Sequence, residues 1–579
     1  MKIVIAKTSG FCMGVRRAVE MVLDAPEEHQ HPISTYGPLI HNPQVLEILE
    51  EKGISAFKEP PAEGSGTVLI RAHGVPPQTK DRLEEVGFKV IDATCPRVIR
   101  VQTIIKKHAE KGYACIIVGD RNHPEVIGLR GYGGHQSYVV KDASELQALP
   151  GFDKAIIVAQ TTLNTHLWQA VKNWANVNHP HYKIFETICD STERRQAEVQ
   201  RLAESVDAVI VVGGLSSGNT KRLVDIARQT GKPAFHIENE DDLDNIDLQA
   251  LTDTSQIGIT AGASTPNWVI KKVYRALETV LFKRKQGWRR LAFELQRALL
   301  LTNVYVAIGA GALCYACNKL QGIYQTFPYI LISMLYVQSM HILNHLTDTR
   351  ADRFNDPNRA KFYDRYKILL AILAVLAGGT GLVIAYSIGL FPFMALLIMS
   401  LLGLSYNLKM LPPWLTGARY RKLRDIPGSK TLLIAVAWGI VTAVLPPLSK
   451  FGSIHWTNVL VAMWTIGIVF VRTAFFDILD MQGDRLVGKE TIPILLGEKR
   501  SMRLLKIILI VLTVVLAVST ALHLTSSLGF ALLLCPVFIA LIILAYERAH
   551  MFPGIRLEFL LETQFILAGV ITFIWVLIN

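Results

Sequence analysis

Lys283-Arg-Lys-Gln-Gly-Trp-Arg-Arg290 marks the point at which this chain changes solvent. The residues before it read as a soluble α/β protein with cysteines at the ends of strands. The residues after it hold nine apolar runs, at roughly 297–315, 328–346, 367–386, 388–408, 431–449, 457–477, 505–523, 527–546 and 559–578. An apolar run of about 20 residues spans a bilayer. A chain of 579 residues is also too long for one core, at about 100–200 residues per domain. The expected organisation is a soluble α/β domain over 1–282, a basic linker over 283–296 and an all-α polytopic membrane domain with nine transmembrane helices over 297–579.

The placement of charge says more than its total. The formal net charge is +12, which could suggest nucleic acid. The basic residues instead crowd the apolar runs: the quoted stretch before the first, Arg419-Tyr-Arg-Lys-Leu-Arg424 after the fourth, Gly497-Glu-Lys-Arg500 after the sixth. That is the pattern of loops retained on the cytoplasmic side of a membrane. Nine spans starting inside return Arg359, Lys361, Arg365, Arg485, Lys489 and Arg548 to the same side, and leave little beyond Lys319 and Lys450 outside. The opening Met1-Lys-Ile-Val-Ile-Ala-Lys-Thr-Ser-Gly-Phe-Cys12 is too brief for a secretory h-region and cleavage site. The first domain is therefore expected in the cytoplasm, at a cell (inner) membrane, with no nucleic-acid partner. Seven scattered cysteines argue against a disulfide framework and for metal ligation plus packed thiols.

Eight aspartates follow residue 300, and five lie in two clusters. The first is Asn344-His-Leu-Thr-Asp348-Thr-Arg-Ala-Asp352, ending the second run; the second is Asp477-Ile-Leu-Asp480-Met-Gln-Gly-Asp484, ending the sixth. Spacings of three and four put each set on one helical face. Like charges so stacked need cations, and carboxylate oxygens with substrate phosphates suit Mg²⁺. Ordinary acidic helix ends and a transporter cation site are the competing readings. The wider context favours the diphosphate reading: Asp352-Arg-Phe-Asn355-Asp-Pro357-Asn-Arg359, then Gly483-Asp484 with Gly488, Thr491 and Pro493. With the span layout, this half resembles the UbiA superfamily of intramembrane prenyltransferases. The resemblance implies that Asn344, Asp348, Asp352, Asp480 and Asp484 hold Mg²⁺ against a prenyl diphosphate, with Asp477 less securely placed. It also makes Lys409, in Leu404-Ser-Tyr-Asn-Leu-Lys409, a diphosphate contact; a lysine snorkelling at the membrane edge is the other reading. His345 and Ala360 depart from the family pattern, which often has Asp and Pro there. Cys314 and Cys317, in an apolar helix without a partner pair, read as packed residues.

In the soluble half three cysteines sit in short motifs: Gly10-Phe-Cys12-Met-Gly14, Asp92-Ala-Thr-Cys95-Pro96 and Thr187-Ile-Cys189-Asp-Ser191. Separations of 83 and 94 residues assign each to a different lobe. Structural zinc sites draw close pairs, whereas three remote cysteines suit an iron–sulfur cluster with one iron open to substrate. Cys115, inside Tyr113-Ala-Cys-Ile-Ile-Val118, reads as core. His41, His73 and His123 each follow an apolar run beside Gly or Pro, with Glu125 close behind the third. Strand ends of that kind are where α/β proteins bind ligands. Together they read as an anion pocket with a proton donor. Gly213-Gly-Leu-Ser-Ser217-Gly-Asn219, Gly262-Ala-Ser264 and Gln160-Thr161-Thr162 are strand-to-helix loops rich in hydroxyls, which suit phosphate.

These motifs closely resemble the 4-hydroxy-3-methylbut-2-enyl diphosphate reductase family over residues 1 to about 282. The resemblance implies a three-lobed α/β fold with a central [4Fe–4S] cluster held by Cys12, Cys95 and Cys189. It implies substrate contacts from His41, His73, His123, Thr161, Ser217, Asn219 and Ser264, and protons delivered by Glu125. Gly218 stands where some members have a second serine. The implied reaction is reductive dehydroxylation to isopentenyl and dimethylallyl diphosphate. No flavin or nicotinamide motif is present, so a separate ferredoxin or flavodoxin is the expected electron donor. The whole chain then reads as a bifunctional isoprenoid protein whose membrane half transfers a prenyl group to a lipophilic acceptor. A reductase tethered by an inactive membrane domain, and a transporter with a sensory soluble domain, are the alternatives.

Overall fold

The computed structural model describes residues 2–246, 256–283, 287–347, 352, 354–406, 426, 428–487, 489–548 and 554–579. Asp348, Lys409 and part of the basic linker lie outside the described residues. The chain divides into two compact units, Met1–Leu277 and Glu278–Asn579.

Among the described residues twelve short strands order the first unit: β1 Lys2–Ile5, β2 Ile33–Tyr36, β3 Ser55–Phe57, β4 Thr67–Ile70, β5 Lys89–Asp92, β6 Ala114–Val118, β7 Ser137–Val140, β8 Ala155–Ala159, β9 Lys183–Ile184, β10 Ala208–Val212, β11 Ala234–Ile237 and β12 Gln256–Ala261. They form three parallel four-stranded sheets, ordered β3-β2-β4-β5, β7-β6-β8-β9 and β11-β10-β12-β1. All described pairings are parallel, so every connection is a crossover, and helices cover the sheet faces. That is why β6, β8 and β10 are continuous apolar runs with every residue buried. Edge strands are shorter or more polar, as in the two-residue β9.

The three lobes repeat one plan. In two, the first strand in the chain lies between the second and third, and the fourth pairs beside the third; β10, β11 and β12 are ordered in the same way, with β1 in the fourth place. One lobe obtains its fourth strand from the opposite end of the unit: β1 pairs with β12, with Lys2 opposite Gln256 and Ile5 opposite Ile259. The N-terminal strand thereby completes the sheet built by the last strands of the unit.

The second unit is helical. Six helices among the described residues are long and apolar enough to cross a membrane: Lys367–Ile388, Ser429–Phe451, Trp456–Arg485, Glu498–Ala521, Leu528–Glu547 and Ile555–Ile578. Helices occupy all nine expected positions, but by length and apolar character six of them qualify as spans, so the count of nine is not confirmed. The first expected span is broken, because Arg290–Leu301 and Val304–Leu320 meet at 75° around Asn303, whose φ is 58°. Counted as one span, that pair makes seven. Leu390–Ser405 is short at 16 residues. Phe327–Thr347 has the length, but Gln338, Ser339, His341 and Asn344 interrupt its apolar character.

Trp438, Trp464, Phe475 and Phe565 fill the core of this bundle. Two charge pairs lie in it, Arg472 with Glu562 and Arg359 with Glu558, so Ile555–Ile578 carries a buried carboxylate and a half-buried one, one turn apart. Membrane-embedded charge is tolerated in such paired form.

Candidate functional site

Every site residue expected in the first unit follows the carboxyl end of a strand, and equivalent strands supply equivalent groups. Cys12, Cys95 and Cys189 follow β1, β5 and β9, the fourth strand of each lobe. His73, Thr161 and Ser264 follow β4, β8 and β12, the third strands; His41, His123 and Ser217 follow β2, β6 and β10, the first. The backbone repeats the relationship. The amides of Cys12, Cys95 and Cys189 donate to the carbonyls of Ala263, Ala72 and Thr161 at 3.1, 3.0 and 2.9 Å.

Each cysteine is also the N-cap of a helix: Met13–Glu28, Pro96–Ala109 and Asp190–Ser205. The Cys12 sulfur accepts from the Val15 amide at 3.4 Å. Burial pushes the Cys95 thiol up, so a metal that binds there must displace its proton. Gly14 makes the convergence possible. A β-carbon on it would lie 2.4 Å from Cys95 Sγ, so the residue after Met13 has room only for hydrogen.

The three cysteines, the three histidines, Glu125, Thr161, Ser217, Asn219 and Ser264 all line one cavity of about 790 Å³. The histidine rings lie 4.9 to 6.1 Å apart by centroid, and their ligand nitrogens fall within 4.8 Å of one another. Burial holds all three below the ordinary imidazole value, and Arg71 nearby adds to the effect. His123 is lowered to about 4, chiefly by burial. Its Nδ1 accepts from the Glu125 amide at 3.1 Å, which leaves the ring proton on Nε2. The pocket therefore presents neutral donors when empty of anion. His73 Nδ1 and Asn219 Nδ2 are buried without a hydrogen-bond partner, as a ligand-binding cavity requires.

Glu125 is 2% exposed. Its Oε1 accepts from the Thr161 amide at 2.7 Å and its Oε2 from the Thr161 hydroxyl at 2.9 Å. Burial nevertheless pushes it up to about 7, the two hydrogen bonds only moderating the rise. Ser264 donates to the His41 carbonyl at 3.1 Å, joining two lobes at the cavity wall. Ser217 caps Gly218–Gln229 by accepting from the Thr220 amide. A β-carbon on Gly218 would meet nothing within 4 Å, so the missing serine leaves open space. Cys115 is fully buried in β6, and Cys314 and Cys317 are fully buried in their helix. Sequence reasoning missed Thr162, Ser191 and Thr192 on the cavity wall, although the first two lay inside quoted motifs.

The second unit brings together fewer of its expected residues. Asn344 lines a cavity of about 470 Å³ with Tyr406, Lys430, Thr431 and Lys489. Asp484 is buried, accepts from Asn355 Nδ2 at 3.0 Å and lies 3.8 Å from Lys489 Nζ. A β-carbon on Gly483 would fall 1.9 Å from Asn355 Oδ1, so this glycine admits the contact between the two motifs. Asp477 accepts from Thr431. Asp480 is half-buried on the same helix. Asp352 is met by His345, whose Nδ1 lies 2.7 Å from its carboxylate, so the departure at 345 puts a hydrogen-bonding partner inside the motif. The donor set is oxygen-only, which suits Mg²⁺ over softer metals. Lys430 was not foreseen; its signal is the Gly428-Ser-Lys-Thr431 helix start.

Residues 3–278 match the family described as LytB protein, and residues 304–552 match the UbiA prenyltransferase family. The chain is 42% identical over 282 residues to a 4-hydroxy-3-methylbut-2-enyl diphosphate reductase of Thermoanaerobacter sp. (strain X514), covering 48% of this chain and 96% of the relative. Among solved structures, an (E)-4-hydroxy-3-methyl-but-2-enyl diphosphate reductase, the terminal enzyme of the non-mevalonate pathway, is 37% identical with a TM-score of 0.38, covering 48% of this chain and 99% of that one. The apo structure of a UbiA homolog from Aeropyrum pernix K1 is 14% identical with a TM-score of 0.37, covering 46% of this chain and 98% of that one.

Proposed function

We propose, from the premise that this chain belongs through residues 3–278 to the 4-hydroxy-3-methylbut-2-enyl diphosphate reductase family and carries a UbiA prenyltransferase-family region over 304–552, that it is a bifunctional isoprenoid enzyme of the membrane. Its domains are the reductase over 1–282, a basic linker over 283–296 and the prenyltransferase over 297–579. The reductase faces the cytoplasm.

The observation that carries the reductase reading is the single cavity. Groups from three lobes, separated by up to 252 positions between Cys12 and Ser264, line one space. Cys12, Cys95 and Cys189 would hold a [4Fe–4S] cluster, which when bound supplies the electrons and a site for the substrate hydroxyl. The chain's own residues do the rest. Neutral His41, His73 and His123 donate to the diphosphate and gain positive charge as the anion raises their proton affinity. Asn219, Ser217 and Ser264 add neutral donors around the substrate. Glu125, with a pKa near the working pH, holds the proton that leaves with the hydroxyl as water. Thr161 orients it through both carboxylate oxygens. Two electrons come from a ferredoxin or flavodoxin, and a second proton, drawn from solvent, forms the new C–H bond of the product.

For the membrane half the supporting observation is Asn355 on Asp484, which joins the first motif to the second. Asn344, Asp348, Asp352, Asp480 and Asp484 would hold Mg²⁺, and Lys430, Lys489 and Lys409 would offset the leaving diphosphate. The allylic group then passes to a lipophilic acceptor. Anaerobic purification in detergent tests both halves. The expected result is a cluster spectrum with turnover of 4-hydroxy-3-methylbut-2-enyl diphosphate, and Mg²⁺-dependent prenyl transfer to one member of an acceptor panel. Transfer unchanged in Asp348→Ala/Asp480→Ala would leave the membrane half without its assignment. A preparation that binds no cluster would end the reductase reading.

A further inference from the structure

The three cysteines are joined by a second device, separate from the strands that carry them. Arg17, on the helix that Cys12 caps, donates from Nη1 to the carbonyl of Thr94, the residue before Cys95, at 3.0 Å. Arg97, on the helix that Cys95 caps, pairs through Nη2 with Asp190, the residue after Cys189, at 2.5 Å. Arg195, on the helix that Cys189 caps, donates from Nη2 to the carbonyl of Gly10 at 2.6 Å, two residues before Cys12. Each cysteine helix thus sends an arginine to the segment beside the next cysteine, and the three ties close a ring.

The ties are unequal. Arg97 and Asp190 are 38% and 53% exposed, and ion pairs in such surroundings contribute little. Arg195 is 4% exposed and makes a second bond, from Nη1 to the Ala261 carbonyl at 3.1 Å. Its helix grips the same loop again, because Glu198 accepts from the amides of Lys7 and Thr8 at 2.7 and 2.8 Å. The charge on Arg195 acts on Cys12, Glu198 and Cys189, and its Nε is buried without a hydrogen-bond partner. A buried guanidinium with a spare donor, tied from the helix that Cys189 caps to the loop two residues before Cys12, has a use that a purely structural strut lacks. It lies where it can offset the negative charge of thiolates and of whatever they ligate.

We propose that Arg195 is a positioning residue for the cluster site. It fixes the Cys12 loop against the Cys189 helix and places a buried positive charge beside two of the three thiolates, while Arg17 and Arg97 complete the ring. The inference rests on the reading that Cys12, Cys95 and Cys189 bind an iron–sulfur cluster.

The test uses the full chain, purified anaerobically, with Arg195→Gln, Arg195→Lys, Arg17→Gln and Arg97→Gln. Three quantities are read: the cluster midpoint potential by redox titration, the rate of iron loss to a chelator, and the thermal unfolding of the soluble unit. Removing the charge should move the potential of Arg195→Gln to a more negative value, since the reduced cluster carries more negative charge. Iron loss should accelerate about tenfold in Arg195→Gln, less in Arg17→Gln, and less than about twofold in Arg97→Gln. Arg195→Lys keeps the charge but not the two-carbonyl fork, so it should keep the potential and lose iron faster. That separation of the two readouts is what a strut alone would not give. Wild-type potential and iron loss in a folded Arg195→Gln would overturn the proposal, as would a lysine variant whose potential moves as far as glutamine's. If Arg195→Gln fails to fold, the lysine variant decides: faster iron loss at unchanged potential supports the inference, and wild-type behaviour in both overturns it. Failure of the wild-type chain to bind a cluster would instead refute the reading on which the inference rests.

Discussion

Thr161 holds both oxygens of the Glu125 carboxylate, the amide at 2.7 Å and the hydroxyl at 2.9 Å. These bonds favour the charged form, whereas burial favours the neutral one and dominates, setting the pKa at about 7. A proton donor must be protonated, so reductase turnover should fall as pH rises through that value. Thr161→Val removes the hydroxyl and keeps the amide. The alkaline limb of the kcat profile should then move up by roughly 1 pH unit, on top of any loss of rate. A limb that stays in place would show that another group sets it.

The histidines are held below the ordinary imidazole value by burial and by Arg71. They are therefore neutral at pH 7 before an anion arrives. Diphosphate binding should raise their proton affinity and draw protons from solution. Calorimetry in buffers of different ionisation enthalpy should show net proton uptake at pH 7, diminished in His73→Asn. Binding with no buffer dependence would count against the histidines as the charged partners.

Gly14 has no space for a side chain, because a β-carbon would lie 2.4 Å from Cys95 Sγ. Gly14→Ala should force Cys95 away and cost about 1–3 kcal/mol, the range for overpacking a close contact. Iron and sulfide content per chain should fall below wild type even in protein that still folds by circular dichroism.

Gly218 gives the opposite case. Open space surrounds its would-be β-carbon on the cavity wall. Gly218→Ser adds a hydroxyl at the start of a helix without a clash. Its expected effect is a lower KM for the diphosphate substrate, by up to about tenfold, with kcat little changed. Steady-state kinetics on the two proteins reads this directly.

In the membrane unit Asn355 is the amide that meets Asp484. Asn355→Ala leaves that buried carboxylate oxygen without its donor, a loss of about 1–3 kcal/mol. The Mg²⁺ concentration for half-maximal prenyl transfer should rise several-fold. Gly483→Ala should do the same or more, since its β-carbon would overlap Asn355 Oδ1.

Much of this architecture is legible without coordinates. β6, β8 and β10 announce themselves as unbroken apolar runs because parallel strands covered on both faces leave no position for a polar side chain. The cysteine and histidine motifs stand out because ligand groups collect where such runs end. Span counting is less fully supported, and for a physical reason. The break at Asn303 is a backbone event, a left-handed residue inside an apolar stretch, and hydropathy does not register it. Gln338 and His341 interrupt Phe327–Thr347 because buried polar groups inside a bundle answer to neighbouring helices rather than to lipid.

The sequence by itself determined the two solvents, the families and the candidate groups for the sites, since each depends on residue type and local spacing. It could not determine which groups meet. That β1 completes the sheet of β10 and β12, that Gly14 yields room to Cys95, that Arg195 reaches Gly10 and that His345 takes Asp352 are contacts between segments. Three of those four join residues more than 80 positions apart. Such contacts arise only once packing has fixed the geometry, because the energy of each depends on distances that no local pattern encodes.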